Sequence, residues 1–513
     1  MTWETAAYGA GAIAAIAAVR ELTREGDVHP HVLNHQSERG DVREKGQSPF
    51  FRSLSTPFGY PLLSGLHIRD GYYHRNGTME DICKLGLKGN IREFDCRNAA
   101  IASVYEASHA ISSYIQNNCH GVKKAAILFP ESSANLTVTF ALANRGISTV
   151  IAPINDSMLL HLSASKPEMI FLEAGIVSMT DLIKEVPSIK YIFLDIEATQ
   201  EQHAWSIEEV AEMTNRSVVN YYDLFAIPES GSVEFDFVPF NDTPALIATY
   251  EEDDTIKTVE YRERHIVSAI AGLLKGMFHD CALTSNDNVL LLYPWSTVIG
   301  RIYLYTCLVA GCNIATSSQV GGQNIPELMQ SNPPTVITAT PAALHNLYSY
   351  IKDSQSSLSE LRTQLLIRAR LSRGRLPAFT RFSWAKSLRL IYTTIEKNDC
   401  LHSEEAAYIK ATLATHISEN LVYPTVCGAI CQTNYFDYRQ YDPALNLHNC
   451  GGPSPSVEIF FKDTDSLNAA NDEGLLCVRG PAVSGDITCT NMEGLVAGDG
   501  CVYLLKDNFA ENS

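Results

Sequence analysis

From residue 99 to residue 395 the hydrophobic positions alternate between two periods. Ala99–Gln116 carries apolar residues at helical spacing, Lys124–Phe129 is a short apolar run stopped by Pro130, and a second helical segment covers about 134–145 before Gly146. Ser148–Pro153 is again Val- and Ile-rich. Met169–Leu172, Tyr191–Leu194, Ala245–Thr249, Val289–Tyr293, Thr335–Ala339 and Leu388–Tyr392 repeat the buried-strand texture, with helical stretches between them. Strands and helices that alternate at this spacing predict an α/β fold of layered, doubly wound sheets.

The texture changes at both ends. Residues 28–80, rich in His, Pro, Gly and charge, show no sustained period and predict an irregular extended lead-in. After Leu421 the runs shorten, as at Val457–Phe461 and Leu475–Val478, and turn residues such as Gly452-Pro453 and Asn471-Asp472 separate them. We therefore divide the chain into an N-terminal helix and extension (1–93), an α/β domain of two subdomains (94–420) and a small β-rich subdomain (421–513).

Charge and cysteines narrow the function. A formal charge of −19, from 58 acids against 39 bases, excludes a general nucleic-acid binder, whose surface must be basic to meet phosphate. The 13 cysteines show no zinc-ligand spacing, so they predict reduced thiols in an intracellular, cytosol-facing protein and no metal site. Thr5–Val19 is uncharged and Ala-rich but short for a bilayer span. It suits a solvent-packed helix or an interfacial anchor. Arg362–Lys386 holds seven bases and no acid among interleaved Leu, Ile, Phe and Trp, which suits a solvated basic helix or contact with an anionic membrane face. Peripheral attachment to endoplasmic reticulum, lipid droplet or peroxisome would use these two segments.

Several landmarks fall in one order along the chain: Asn135–Gly146 with Ile151-Ala152-Pro153, Gly311, Thr335–Pro341 with Leu344–Tyr348, and Gly452–Asp463 followed by Gly474 and Val478-Arg479-Gly480-Pro481-Ala482-Val483. In this the chain resembles the adenylate-forming (AMP-binding) superfamily, in particular its long- and medium-chain fatty acyl-CoA synthetases. The resemblance implies the superfamily's large N-terminal domain, and an ATP- and magnesium-dependent ligase using CoA.

The motifs that would carry that chemistry are altered. Where the family's glycine-rich phosphate loop reads TSGTTGxPKGV, this chain reads Thr249-Tyr250-Glu251-Glu252-Asp253-Asp254-Thr255-Ile256-Lys257-Thr258-Val259. No glycine remains to allow close backbone approach to phosphate, and four consecutive acids oppose a polyphosphate. A cation held by those four acids is the alternative reading. Thr297 stands at the place of the family's active-site histidine, Thr394-Ile395-Glu396-Lys397 at the adenine turn, and Thr425 or Cys427 at the magnesium glutamate. Ala497-Gly498-Asp499 resembles the ribose-binding TGD turn. The family's further C-terminal domain, with its adenylating lysine, is expected to be missing beyond Ser513.

These departures predict no catalytic residue, and only remnant nucleotide contacts at Thr249, Lys257 and Asp499. The expected function is a catalytically degenerate scaffold in lipid metabolism that binds a fatty acid, an acyl-CoA or a protein partner. Val298, Ile299 and Leu304 supply its apolar lining, and no cofactor is needed. One alternative is an active or partner-completed long-chain fatty acid-CoA ligase with ATP, magnesium and CoA; the other is a structural subunit of a membrane-surface complex.

Overall fold

A computed structural model describes residues 26–93, 98–196, 207–225, 237–252, 254–317, 325–380, 382–397, 399–439 and 447–505. Thr5–Val19, Asp253 and the segment beyond 505 lie outside the described residues.

The predicted α/β layering is present. Seven strands, Lys124–Leu128 (β1), Ser148–Ile151 (β2), Met169–Glu173 (β3), Tyr191–Asp195 (β4), Ser217–Asn220 (β5), Leu246–Glu252 (β6) and Thr255–Tyr261 (β7), form one sheet in the order β5-β4-β3-β1-β2-β6-β7. The sheet is parallel except for its last pair, the β6–β7 hairpin. Its central parallel strands β1, β2, β3 and β4 are almost wholly buried, which is why they read as unbroken apolar runs. Helices Ile101–Asn118 (α1) and Ser133–Asn144 (α2) cover one face; α2 buries ten consecutive residues and is capped by the Ser132 hydroxyl on Asn135 N–H.

A second, 15-stranded sheet carries the rest. Its parallel part consists of Asn288–Leu291 (β8), Asn313–Thr316 (β9), Val336–Thr338 (β10), Leu390–Ile395 (β11) and His416–Leu421 (β12), in the order β12-β11-β10-β8-β9. From β12 the sheet turns antiparallel through Cys431–Gln432 (β13), Leu447–Pro453 (β14), Glu458–Lys462 (β15), Glu473–Arg479 (β16), Ile487–Val496 (β17) and Val502–Leu505 (β18). The helices on it are Glu263–Gly276 (α3), Val298–Ala310 (α4), Pro341–Asp353 (α5), Ser357–Ala369 (α6) and Ser403–Leu413 (α7). The β-rich C-terminal texture is thus a continuation of the central sheet.

Two expectations need correction. The lead-in is not irregular throughout: Ser37–Arg39 and Phe51–Ser53 extend the large sheet beyond β15, with Phe51 paired to Ile459 in the core. Local periodicity misses them because each strand is three residues long, and the pairing that ties them to the sheet, Phe51–Ser53 on β15, spans about four hundred residues. The thiols are not all reduced either, since Cys477 on β16 and Cys489 on β17 are cross-strand partners joined by a disulfide.

Candidate functional site

Parallel strands gather loops at their carboxyl ends, and there the two sheets enclose a cavity of about 410 Å³. Six segments far apart in sequence form its wall: Pro153 after β2, Ala248–Glu252 on β6, Ser296–Ile299 at the start of α4, the turn after β11, the stretch after β12, and Asn491 on β17. Four of the six are segments that sequence assigned to the nucleotide site.

The first wall is a hairpin. β6 and β7 pair continuously from Leu246↔Tyr261 to Glu252↔Thr255, and Asp254 takes the left-handed conformation (φ 57°) that a tight turn requires. Residues that would form an open phosphate loop are therefore ladder partners, with Tyr250 opposite Lys257. Lys257 does not reach the cavity wall. Its Nζ is 2.5 Å from Glu252 Oε2, and Tyr423 O–H donates to the other oxygen at 3.2 Å. The hydrogen bond from Lys257, opposed by slight burial, holds the Glu252 carboxyl below its ordinary range. Thr249 does line the cavity, with its hydroxyl 2.9 Å from His161 Nδ1; burial lowers the pKa of that imidazole.

Helix α4 supplies the second wall. Thr297 is its N-cap, accepting from Gly300 N–H at 3.1 Å, so its hydroxyl is engaged by the helix end. Behind it the fully buried Arg301 donates to Trp295 O (2.8 Å), Thr139 Oγ1 (2.9 Å) and Asn135 Oδ1 (3.1 Å), fixing the Pro294–Thr297 turn to α2. Val298 and Ile299 face the cavity, whereas Leu304 is buried in the core.

The third wall places Glu396, Lys397 and Asp399 on the cavity. Glu396 accepts from Tyr293 O–H (2.5 Å) and Thr394 O–H (3.3 Å). Burial raises its pKa and Asp399 adds to the effect; burial raises Asp399 as well. Sequence treated this turn as an obstruction and missed that it contributes an acid. Cys427 is fully buried with its thiol pKa pushed far up by burial, and neither it nor Thr425 is part of the wall.

Asp499 lies elsewhere. It accepts from Arg439 Nη1 (2.8 Å), Tyr503 O–H (3.0 Å) and Cys501 N–H (3.0 Å), which hold it in the Asp499–Cys501 turn. Asn491, eight residues earlier, is the residue of this region that reaches the cavity. A Gly-Asp turn is a common loop feature, and only the register of β17 against β18 shows which residue faces inward. Among the described residues no group of three His, Cys, Asp or Glu side chains is placed to hold a metal ion.

Residues 255–486 match the family model described as AMP-binding enzyme. The luciferase-like enzyme of the nonluminescent mealworm Zophobas morio superposes with a TM-score of 0.63 at 13% identity, covering 86% of this chain and 98% of that one. The fold is that of the adenylate-forming enzymes. The N-terminal domain of FACL13 from Mycobacterium tuberculosis gives a TM-score of 0.61 at 12% identity, covering 83% of this chain and 98% of that one. O-succinylbenzoate coenzyme A synthetase from Bacillus subtilis gives 0.58 at 14%, with 84% and 78% covered. An uncharacterized protein of Saccharomyces cerevisiae is 20% identical over 92% of each chain. The acyl-CoA synthetase-like resemblance drawn from the landmark motifs stands.

Proposed function

We propose that this chain uses the adenylate-forming fold as a binding platform: a catalytically degenerate acyl-CoA synthetase-like protein that holds a fatty acid or acyl-CoA in the cavity and forms no adenylate. One observation carries the reading, the β6–β7 hairpin in place of an open phosphate loop. In a paired hairpin the amides point alternately toward the partner strand and away from it and do not converge on a point, so they make no nest for an anion. The only lysine of that segment is bound to Glu252.

The remaining wall supports the same reading. With Glu252 paired to Lys257, the acids Glu251, Glu396 and Asp399 face the space against Lys397, a balance that opposes a polyphosphate. No carboxylate stands at Thr425 or Cys427 to share a magnesium ion. Magnesium-ATP therefore does not fit these residues, and no step is routed through it. Val298, Ile299 and Val426 leave an apolar flank for an acyl chain.

Displacement of a fluorescent fatty acid tests the reading. Binding weakened by Val298→Asp or Ile299→Asp, and unaffected by magnesium-ATP, is expected. No binding at any soluble concentration would remove the acyl-ligand proposal.

A further inference from the structure

Helix α6 wears its apolar residues outward. Thr363 and Ile367, four apart, are buried against the core, while Leu358, Leu361 and Leu365 on the opposite face are 82%, 58% and 57% exposed. Spacings of three and four residues put these leucines in one stripe, and exposed Arg362 lies beside it. The stripe opens the basic tract singled out in the sequence. Within that tract Arg373 and Lys386 are exposed, Arg370 is half-buried and Arg375 turns inward, so the basic surface is narrower than the sequence suggests. Phe379, 88% exposed, adds a bulky apolar side chain to the same tract. Glu360, the acid of α6, sits on its half-buried flank.

We propose that the outer face of α6 is a docking surface for an anionic lipid bilayer, separate from the cavity. The residue types decide between occupants. Protein interfaces concentrate their binding energy in Trp, Tyr and Arg, with Leu under-represented, whereas a leucine stripe flanked by bases is the composition with which helices lie in a lipid interface. Charge points the same way: in a chain of net charge −19, a 25-residue tract without acid is where an anionic surface meets least repulsion. No helix among the described residues is long and apolar enough to cross a membrane, so the contact is peripheral.

The test is co-sedimentation of the full chain with phosphatidylcholine vesicles, and with vesicles in which about a third of the lipid is phosphatidylserine. The wild type is compared with Leu358→Gln/Leu361→Gln/Leu365→Gln and with Arg362→Gln. All four side chains are exposed, so both variants should keep the wild-type circular dichroism and melting curve. Partition onto the anionic vesicles is expected, weakened by salt, on the order of tenfold lower in the triple variant and a few-fold lower in Arg362→Gln. Three outcomes overturn the proposal: no partition; partition that the triple variant leaves unchanged, which places the contact elsewhere in the chain; or a concentration-dependent dimer that the triple variant abolishes, which gives the face to a second copy.

Discussion

Replacing Glu396 with Gln should stabilise the protein at neutral and alkaline pH and leave it unchanged in acid. Glu396 is buried on the cavity wall, and burial, reinforced by Asp399, lifts its folded-state pKa above the ordinary 4.5. Between that ordinary value and the raised one, the native state binds more protons than the unfolded chain. Stability therefore falls as pH rises through the window and stays reduced above it. Each unit of such a shift corresponds to about 1.4 kcal/mol. Gln has the same shape and keeps an oxygen to accept from Tyr293 O–H, so it loses the buried charge and retains the bond. The raised pKa already includes that bond, so the variant is expected to gain stability at about pH 8, where the buried carboxylate is charged, and none at about pH 4, where it is protonated. Urea denaturation followed by fluorescence of buried Trp295 and Trp384 at both pH values reads the difference. A destabilised Glu396→Gln at alkaline pH, or a larger gain in acid, would refute the assignment of Glu396 as a carboxyl strained by burial.

Two further outcomes follow from the same walls. Grafting a glycine-rich loop in place of 250–256, with Thr258→Gly, removes the Glu252–Lys257 pair and several cross-strand pairs. Isothermal titration should find only weak magnesium-ATP binding, because Glu396 and Cys427 are unchanged, and the graft should melt earlier by about 1–3 kcal/mol of lost pairing. Arg301→Met leaves Trp295 O and Thr139 Oγ1 without their buried donor; chemical denaturation should show a loss of about 2–4 kcal/mol, and an unchanged midpoint would mean that relief of the buried charge balances the lost bonds.

The layered α/β fold was legible because its strands are buried on both faces and its helices are long: Lys124–Leu128, Tyr191–Asp195 and Ile101–Asn118 fall within a few residues of where the periodicity puts them. Strands such as Phe51–Ser53 were not, because their stability comes from the distant β15 and not from any local pattern. The site was legible in its parts, since Thr249, Thr297 and Glu396 do share one cavity. Its chemistry was less so. Four consecutive acids read as a repelling loop, yet Glu252 is neutralised by Lys257 and Tyr423, and the segment is a hairpin whose pairing no motif match could foresee. Asp499 carried a familiar dipeptide, but its partner Arg439 lies 60 residues away, and Asn491, not Asp499, reaches the cavity wall.

The measurement closest to the central claim is calorimetric titration of the purified chain with magnesium-ATP, alone and with a saturated fatty acid present, followed by a search for acyl-adenylate in the same cell. A hairpin with no anion nest, beside a wall of carboxylates, predicts no saturable heat up to about millimolar ATP and no adenylate. Saturable binding at micromolar ATP, with adenylate accumulating, would contradict the account and return the chain to the working ligases of its fold.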